Sequence, residues 1–143
     1  MLDHRNSLGR IVYCNTENQI MSEKIVILGA GESGCGAALL AKKKGFQVFV
    51  SDNGSISQSA KNIFDTLEIE WEEETHTLSK MKDAQYIMKS PGIPAQTPMV
   101  QSLEAIDIPV ISEIEFASKY TKATLIGITG SNGKTTTAMM TYK

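Results

Sequence analysis

Lys24-Ile25-Val26-Ile27-Leu28-Gly29-Ala30-Gly31-Glu32-Ser33-Gly34 is the stretch whose reading decides the fold. Lys24–Gly29 is an apolar run without alternation, the pattern of a strand buried on both faces of a sheet. G-x-G-x-x-G follows at Gly29, Gly31 and Gly34, and then a small-residue helix from about Gly34 to Lys44, with Gly45 placed to close it. Gly29 permits a tight turn, Gly31 lets a ligand approach the backbone, and Gly34 lets the helix lie close on the strand. The helix start offers free N–H groups and a positive dipole end, which suit a phosphate or another anion. A second strand, Phe46–Val50, leads to Asp52, where an acidic residue ordinarily meets a ribose or a base. The pattern reads as a nucleotide or nucleotide-sugar site, with a structural glycine turn as the alternative. Glu32 would repel a pyrophosphate lying directly on the loop, which argues against ordinary NAD binding.

Outward from this unit, helices and strands alternate. Ser57–Leu67 reads as an amphipathic helix, Glu68–Trp71 as a short strand, and Glu72-Glu73-Glu74 as a solvated acidic turn. Gln85–Lys89 is a strand ending in the turn Ser90-Pro91-Gly92-Ile93-Pro94. A helix over Thr97–Ile106 has Pro98 in its first turn, and Ile108–Ile111 is a short strand. Ser112-Glu113-Ile114-Glu115 is a capping box for a short helix through Phe116 to Tyr120, and Thr124–Thr129 is the last strand. The predicted class is α/β, a Rossmann-like doubly wound parallel sheet with its motifs at strand C-termini.

Composition bounds the partners. The chain has 143 residues, 41% hydrophobic and 21% charged, with a formal net charge of −2. That excludes a disordered charged tail, a collagen-like repeat and a disulfide miniprotein, and it leaves no footprint for nucleic acid. No run approaches the ~18 apolar residues of a membrane span, and Met1–Arg5 has no apolar secretory core. Cys14 and Cys35 fit neither a metal spacing nor a CxxC pair, so two reduced thiols and a cytoplasmic location are expected. His4 and His76 read as solvated. Residues 1–20 are polar and without clear period, so Met21 is the expected natural start and residues 1–21 an extension outside the fold.

The strongest signal is a second loop, Gly127-Ile128-Thr129-Gly130-Ser131-Asn132-Gly133-Lys134-Thr135-Thr136-Thr137. Its Gly-Lys-Thr core sits between an apolar run and a helix start. Backbone N–H groups there can wrap a triphosphate, Lys134 can reach the β/γ-phosphates, and the Thr135 hydroxyl can ligate Mg²⁺. The spacing departs from G-x-x-x-x-G-K-[ST]: the general pattern wants glycine at 128, where Ile128 stands.

This variant loop, G-x-T-G-x-N-G-K-T-T-T, resembles that of the Mur ligases and their folylpolyglutamate synthetase relatives. The upstream G-x-G-x-x-G domain selects the Mur branch. Ile87–Pro94, with its Ser-Pro-Gly-Ile turn, and Ile111–Phe116 resemble the member that adds D-glutamate to UDP-N-acetylmuramoyl-L-alanine. The resemblance covers about Lys24 to Lys143. It implies an ATP- and Mg²⁺-dependent ligase of peptidoglycan precursor synthesis, working through an acyl phosphate, monomeric, with no nucleic-acid or membrane partner. It implies a UDP-sugar site lined by Glu32, Ser33, Asp52, Asn53, Ser90, Pro91 and Gly92. It implies an ATP site over Gly130, Ser131, Asn132, Gly133, Lys134, Thr135 and Thr136, with Lys134 and Thr135 catalytic and Thr135 toward Mg²⁺. The implied division is an extension over 1–21, a UDP-sugar-binding domain over 22–111, and the start of an ATP-binding domain over 112–143. These residues alone are then expected to lack ligase activity. The alternatives are another Mur ligase with a different amino acid, a non-catalytic UDP-sugar-binding module, and an NAD-dependent oxidoreductase.

Overall fold

A computed structural model describes residues 23–94 and 96–142. Met21, the expected start, lies outside the described residues, as do His4 and Cys14. The elements run β1 (Lys24–Leu28), α1 (Glu32–Lys43), β2 (Gln47–Ser51), α2 (Gln58–Thr66), β3 (Glu70–Glu72), a 3-10 turn (Leu78–Lys80), β4 (Tyr86–Lys89), α3 (Pro98–Glu104), β5 (Val110–Ser112), α4 (Glu113–Ser118) and α5 (Lys134–Thr141). The five strands form one sheet in the order β3-β2-β1-β4-β5, and every pair is parallel. The order reverses between β1 and β4. Loops leaving these two strands diverge to opposite sides and open a crevice, the usual ligand position in such sheets.

The unbroken apolar run of β1 is explained by its two buried faces. Ile25 and Ile27 point into one cluster with Val48 and Val50 of β2, the alanine face of α1 (Ala37, Ala38, Ala41) and Phe64 of α2. Val26 and Leu28 point the other way, onto Phe49, Met81, Ile87 and the α3 residues Val100 and Leu103. The small α1 residues let that helix approach the sheet closely, and Gly45 closes it at φ +85°.

Ser112 caps α4 as expected, its hydroxyl accepting the Glu115 N–H at 3.1 Å. Phe116 is buried in the first cluster and meets Phe46 edge-on at 5.8 Å between ring centres. The packed unit therefore includes α4.

Two expectations are corrected. Thr124–Thr129 forms no strand: the sheet ends at β5, and Leu125 and Ile126 are 64% and 71% exposed. An apolar run becomes a strand only where a neighbour takes its backbone hydrogen bonds, and no described strand lies beside this one. The acidic run and His76 are not simply solvated either. Parallel pairing sets Ser51 of β2 against Glu72 of β3. Ser51 is 0% exposed, and its hydroxyl lies 2.8 Å from Glu72 Oε1 and 2.7 Å from His76 Nδ1. A serine has one proton to give, and the Glu72 carboxylate at 2.8 Å and the Thr75 carbonyl at 3.3 Å both accept from it, with the His76 ring nitrogen on the same oxygen. Glu72 Oε1 also accepts the Thr77 N–H at 2.7 Å, and Glu73 accepts from the Lys61 ammonium at 2.5 Å and the Ile56 N–H at 2.8 Å.

These bonds set a pH dependence. Burial pushes the Glu72 carboxyl up, but the Thr77 N–H, the Ser51 hydroxyl and nearby Lys80 outweigh it and hold it below its ordinary value. Lys61 and the Ile56 N–H hold Glu73 low, and Lys24 does the same for Asp83. A carboxylate with a lowered folded pKa contributes its full stability above the unfolded value, about 4.3 for Glu. That contribution is lost as pH falls through the folded value. The thermal midpoint is expected to be level between about pH 7 and 5.5 and to fall below about pH 4. Glu72→Gln should lower the neutral-pH midpoint and flatten the acid limb; an unchanged acid limb by circular dichroism would count against this assignment.

Candidate functional site

The first glycine loop is set by backbone geometry. Gly29 has φ +97°, a conformation that favours glycine. A Cβ on Gly34 would lie 2.0 Å from the Gly29 carbonyl oxygen, so α1 can cross β1 here only without a side chain. Asp52, at the end of β2, grips the loop. Its Oδ2 accepts the Ala30 N–H at 2.6 Å and its Oδ1 accepts the Gly54 N–H at 2.7 Å. Sequence placed Asp52 toward a ligand; in the structure one oxygen holds the glycine loop and the other the turn after β2.

A cleft of about 650 Å³ opens between this loop, the end of β2 and α2. Gly31, Glu32, Asp52 and Cys35 line one side, and Ser55, Ser57 and Ser59 line the other. Its size suits a small-molecule site. The three serines escaped the sequence reading, although their every-second spacing just after Asp52 was a usable signal. Cys35 donates its S–H to the Ala30 carbonyl at 3.3 Å. Burial, and then the charge of Asp52, push its thiol up, which favours the neutral form on this wall of the cleft.

Ser33 turns away from this cleft toward the β1–β4 crevice. Its hydroxyl donates to Glu113 Oε1 at 3.2 Å, and the Ser90 hydroxyl donates to the same oxygen at 2.7 Å. Ser33 and Ser90, far apart in sequence, are thus brought together, and Glu113 joins them. Lys89 fixes the other side of the turn, its ammonium donating to the Ile93 carbonyl at 2.6 Å. Pro91 and Gly92 stand exposed at the turn tip, and Asn53 is exposed beside Asp52. Sequence reasoning quoted the stretches holding Glu113 and Lys89 but did not assign either to the site, because their partners are supplied by the turn and by the first glycine loop.

In the second loop Gly130 has φ +153°, and Gly133, at φ +78°, caps α5. The Lys134 ammonium folds back onto the Gly130 carbonyl. No side chain caps the start of α5, so its first N–H groups remain open to an acceptor. Gly130 to Thr136 are exposed throughout, and none of the hydrogen bonds at the first loop reaches them. Among the described residues there is no cluster of three His, Cys, Asp or Glu able to hold a metal ion.

Strand order, glycine loop and switch-point crevice together define a Rossmann-like α/β domain. The family model for the MurD N-terminal domain matches residues 24–99, and the chain belongs to that family. Among curated proteins it is similar to the UDP-N-acetylmuramoylalanine--D-glutamate ligase of Christiangramia forsetii, 58% identical over 116 residues, covering 81% of this chain and 26% of that protein. The protein of the same name from Bacteroides thetaiotaomicron is 55% identical over 120 residues, covering 84% of this chain and 27% of its own length. The chain thus spans about a quarter of the length of these relatives. Among solved structures, a pseudomurein peptide ligase type C from Methanothermus fervidus is 34% identical with a TM-score of 0.61, covering 83% of this chain and 25% of that one.

Proposed function

We propose that this chain carries the UDP-sugar-binding domain and the start of the ATP-binding domain of a peptidoglycan-precursor ligase, one that joins D-glutamate to UDP-N-acetylmuramoyl-L-alanine. The observation that carries this reading is the paired arrangement at the sheet edge. A cleft lies on the glycine loop gripped by Asp52, and the Ser90–Gly92 turn is tied to the same loop from the other side. The domain would run from residue 22 through α4, with the ATP-binding part beyond it.

In this reading the first loop and its cleft hold the nucleotide-sugar. Glu32, exposed on the first turn of α1, keeps a pyrophosphate from settling where a dinucleotide would place it. The second loop suits a triphosphate: left-handed glycines and an uncapped helix start aim backbone N–H groups outward. Gly130 to Thr136 would wrap the phosphates, with Lys134 turning from the Gly130 carbonyl to the β/γ-phosphates. Thr135 is the residue that would hold Mg²⁺, whose chemistry is to offset phosphate charge. A carboxylate is a poor electrophile, so the L-alanyl carboxylate oxygen takes the γ-phosphoryl group and ADP leaves. The amine of D-glutamate then forms the C–N bond and loses a proton as inorganic phosphate departs. A cytoplasmic monomer is the setting we infer; no helix among the described residues is long and apolar enough to cross a membrane.

Calorimetry on the full chain tests the reading. UDP-N-acetylmuramoyl-L-alanine is expected to bind at one site, ATP with Mg²⁺ to bind separately, and NADH not to bind. UDP-sugar binding without ATP binding would favour a non-catalytic module. Binding of NADH with none of the UDP-sugar would overturn the proposal.

A further inference from the structure

Glu113 and Ser51 are the only polar or charged residues buried among those described, and Glu113 is 7% exposed. Burying a carboxylate is costly unless its oxygens find donors. Here the donors are two hydroxyls, Ser33 of the first glycine loop at 3.2 Å and Ser90 of the turn after β4 at 2.7 Å, both on Oε1. The two segments leave the sheet on either side of the switch point and run close together: the Ser90 N–H donates to the Leu28 carbonyl at 3.1 Å, and a Cβ on Gly29 would lie 2.8 Å from Ser90 Oγ. Glu113 reaches them from an anchored helix start. Ser112 caps it, and Phe116, one turn on, is buried between Phe46 and Tyr120. The carboxylate is thus presented to both loops from a packed element.

We propose that Glu113 is a positioning residue for the nucleotide-sugar ligand, holding the first glycine loop and the Ser90–Gly92 turn together in the arrangement that receives it. This rests on the nucleotide-sugar reading given above. Glu113 touches no ligand in this scheme; it removes the freedom of two segments before the ligand arrives, so less order is lost on binding. Its position one residue beyond β5 also ties the crevice to the segment that runs on to the second glycine loop.

The test is calorimetry of the full chain with UDP-N-acetylmuramoyl-L-alanine. Glu113→Ala is expected to weaken binding about tenfold. Glu113→Gln keeps the accepting Oε1 and should bind within about twofold of the parent. Parent-like binding by Glu113→Ala would overturn the proposal. Should Glu113→Ala fail to fold, Glu113→Asp, which keeps the charge but draws the carboxylate back by one methylene from both hydroxyls, takes its place with the same expected weakening. If the parent binds no UDP ligand at all, the nucleotide-sugar reading fails, and hydrogen exchange of the free protein decides the positioning claim. Faster exchange at residues 30–34 and 90–93 in Glu113→Ala, restored in Glu113→Gln, supports it; unchanged exchange overturns it.

Discussion

Gly34→Ala is expected to destabilise the fold by about 3 kcal/mol, which for a domain of this size lowers the thermal midpoint by more than about 10 °C. The added Cβ would lie 2.0 Å from the Gly29 carbonyl oxygen and 3.0 Å from its carbon. Both are backbone atoms and cannot rotate aside. Either α1 must lift from β1, or the loop must abandon the conformation that Gly29 adopts at φ +97°. Lifting α1 opens gaps along Ala37, Ala38 and Ala41, which are buried against the sheet, and dispersion contacts weaken steeply with distance. Gly36→Ala is the control. It lies in the same helix, a Cβ there meets nothing within 4 Å, and alanine is the better helix former by about 1 kcal/mol. Thermal melts followed by circular dichroism should separate the two variants widely. A Gly34→Ala midpoint level with that of the parent would mean that helix and strand are not held at this distance.

Asp52→Asn is expected to cost about 2 kcal/mol of stability and to weaken UDP-sugar binding at least about tenfold. The substitution is nearly isosteric, so the effect is one of donors and acceptors. Asp52 accepts on both oxygens, from Ala30 N–H and from Gly54 N–H. An asparagine has one oxygen and one NH₂ group, so one of the two backbone N–H groups must face another donor. Whichever it is, either the glycine loop or the turn after β2 is released, and both border the cleft. Asn53→Ala, at an exposed position beside it, should leave stability within about 0.5 kcal/mol. Urea unfolding with calorimetry reads both quantities. An Asp52→Asn variant of parent stability would show that the carboxylate is free for ligand, not engaged with the backbone.

Much of this site was legible because its signals are local. A continuous apolar run, glycines at 29, 31 and 34 and an acidic residue after the next strand are all short-range patterns, and each answers to a backbone requirement that a few neighbouring residues settle. Ser57 and Ser112 were readable as helix starts for the same reason, and each caps its helix with its own hydroxyl. Glu72 and His76 were misread because their partner, Ser51, lies in another strand and reaches them only through the β2–β3 register. The Thr124–Thr129 run was misread in the opposite sense, since its composition suits a strand but strand formation depends on a neighbour.

Local patterns were enough to read the class of the fold and the place of both glycine loops. These follow from hydrophobic period, from glycine's access to left-handed or crowded backbone and from helix-end electrostatics, all set within a few residues. It took the folded chain to show that Asp52 divides its oxygens between the glycine loop and the turn after β2, that α4 packs with the first unit, and that Ser33 and Ser90 meet at Glu113. The physical reason is that a side chain's role depends on which donors, acceptors and apolar surfaces surround it once the strands have chosen their neighbours, and that choice is made by the sheet as a whole.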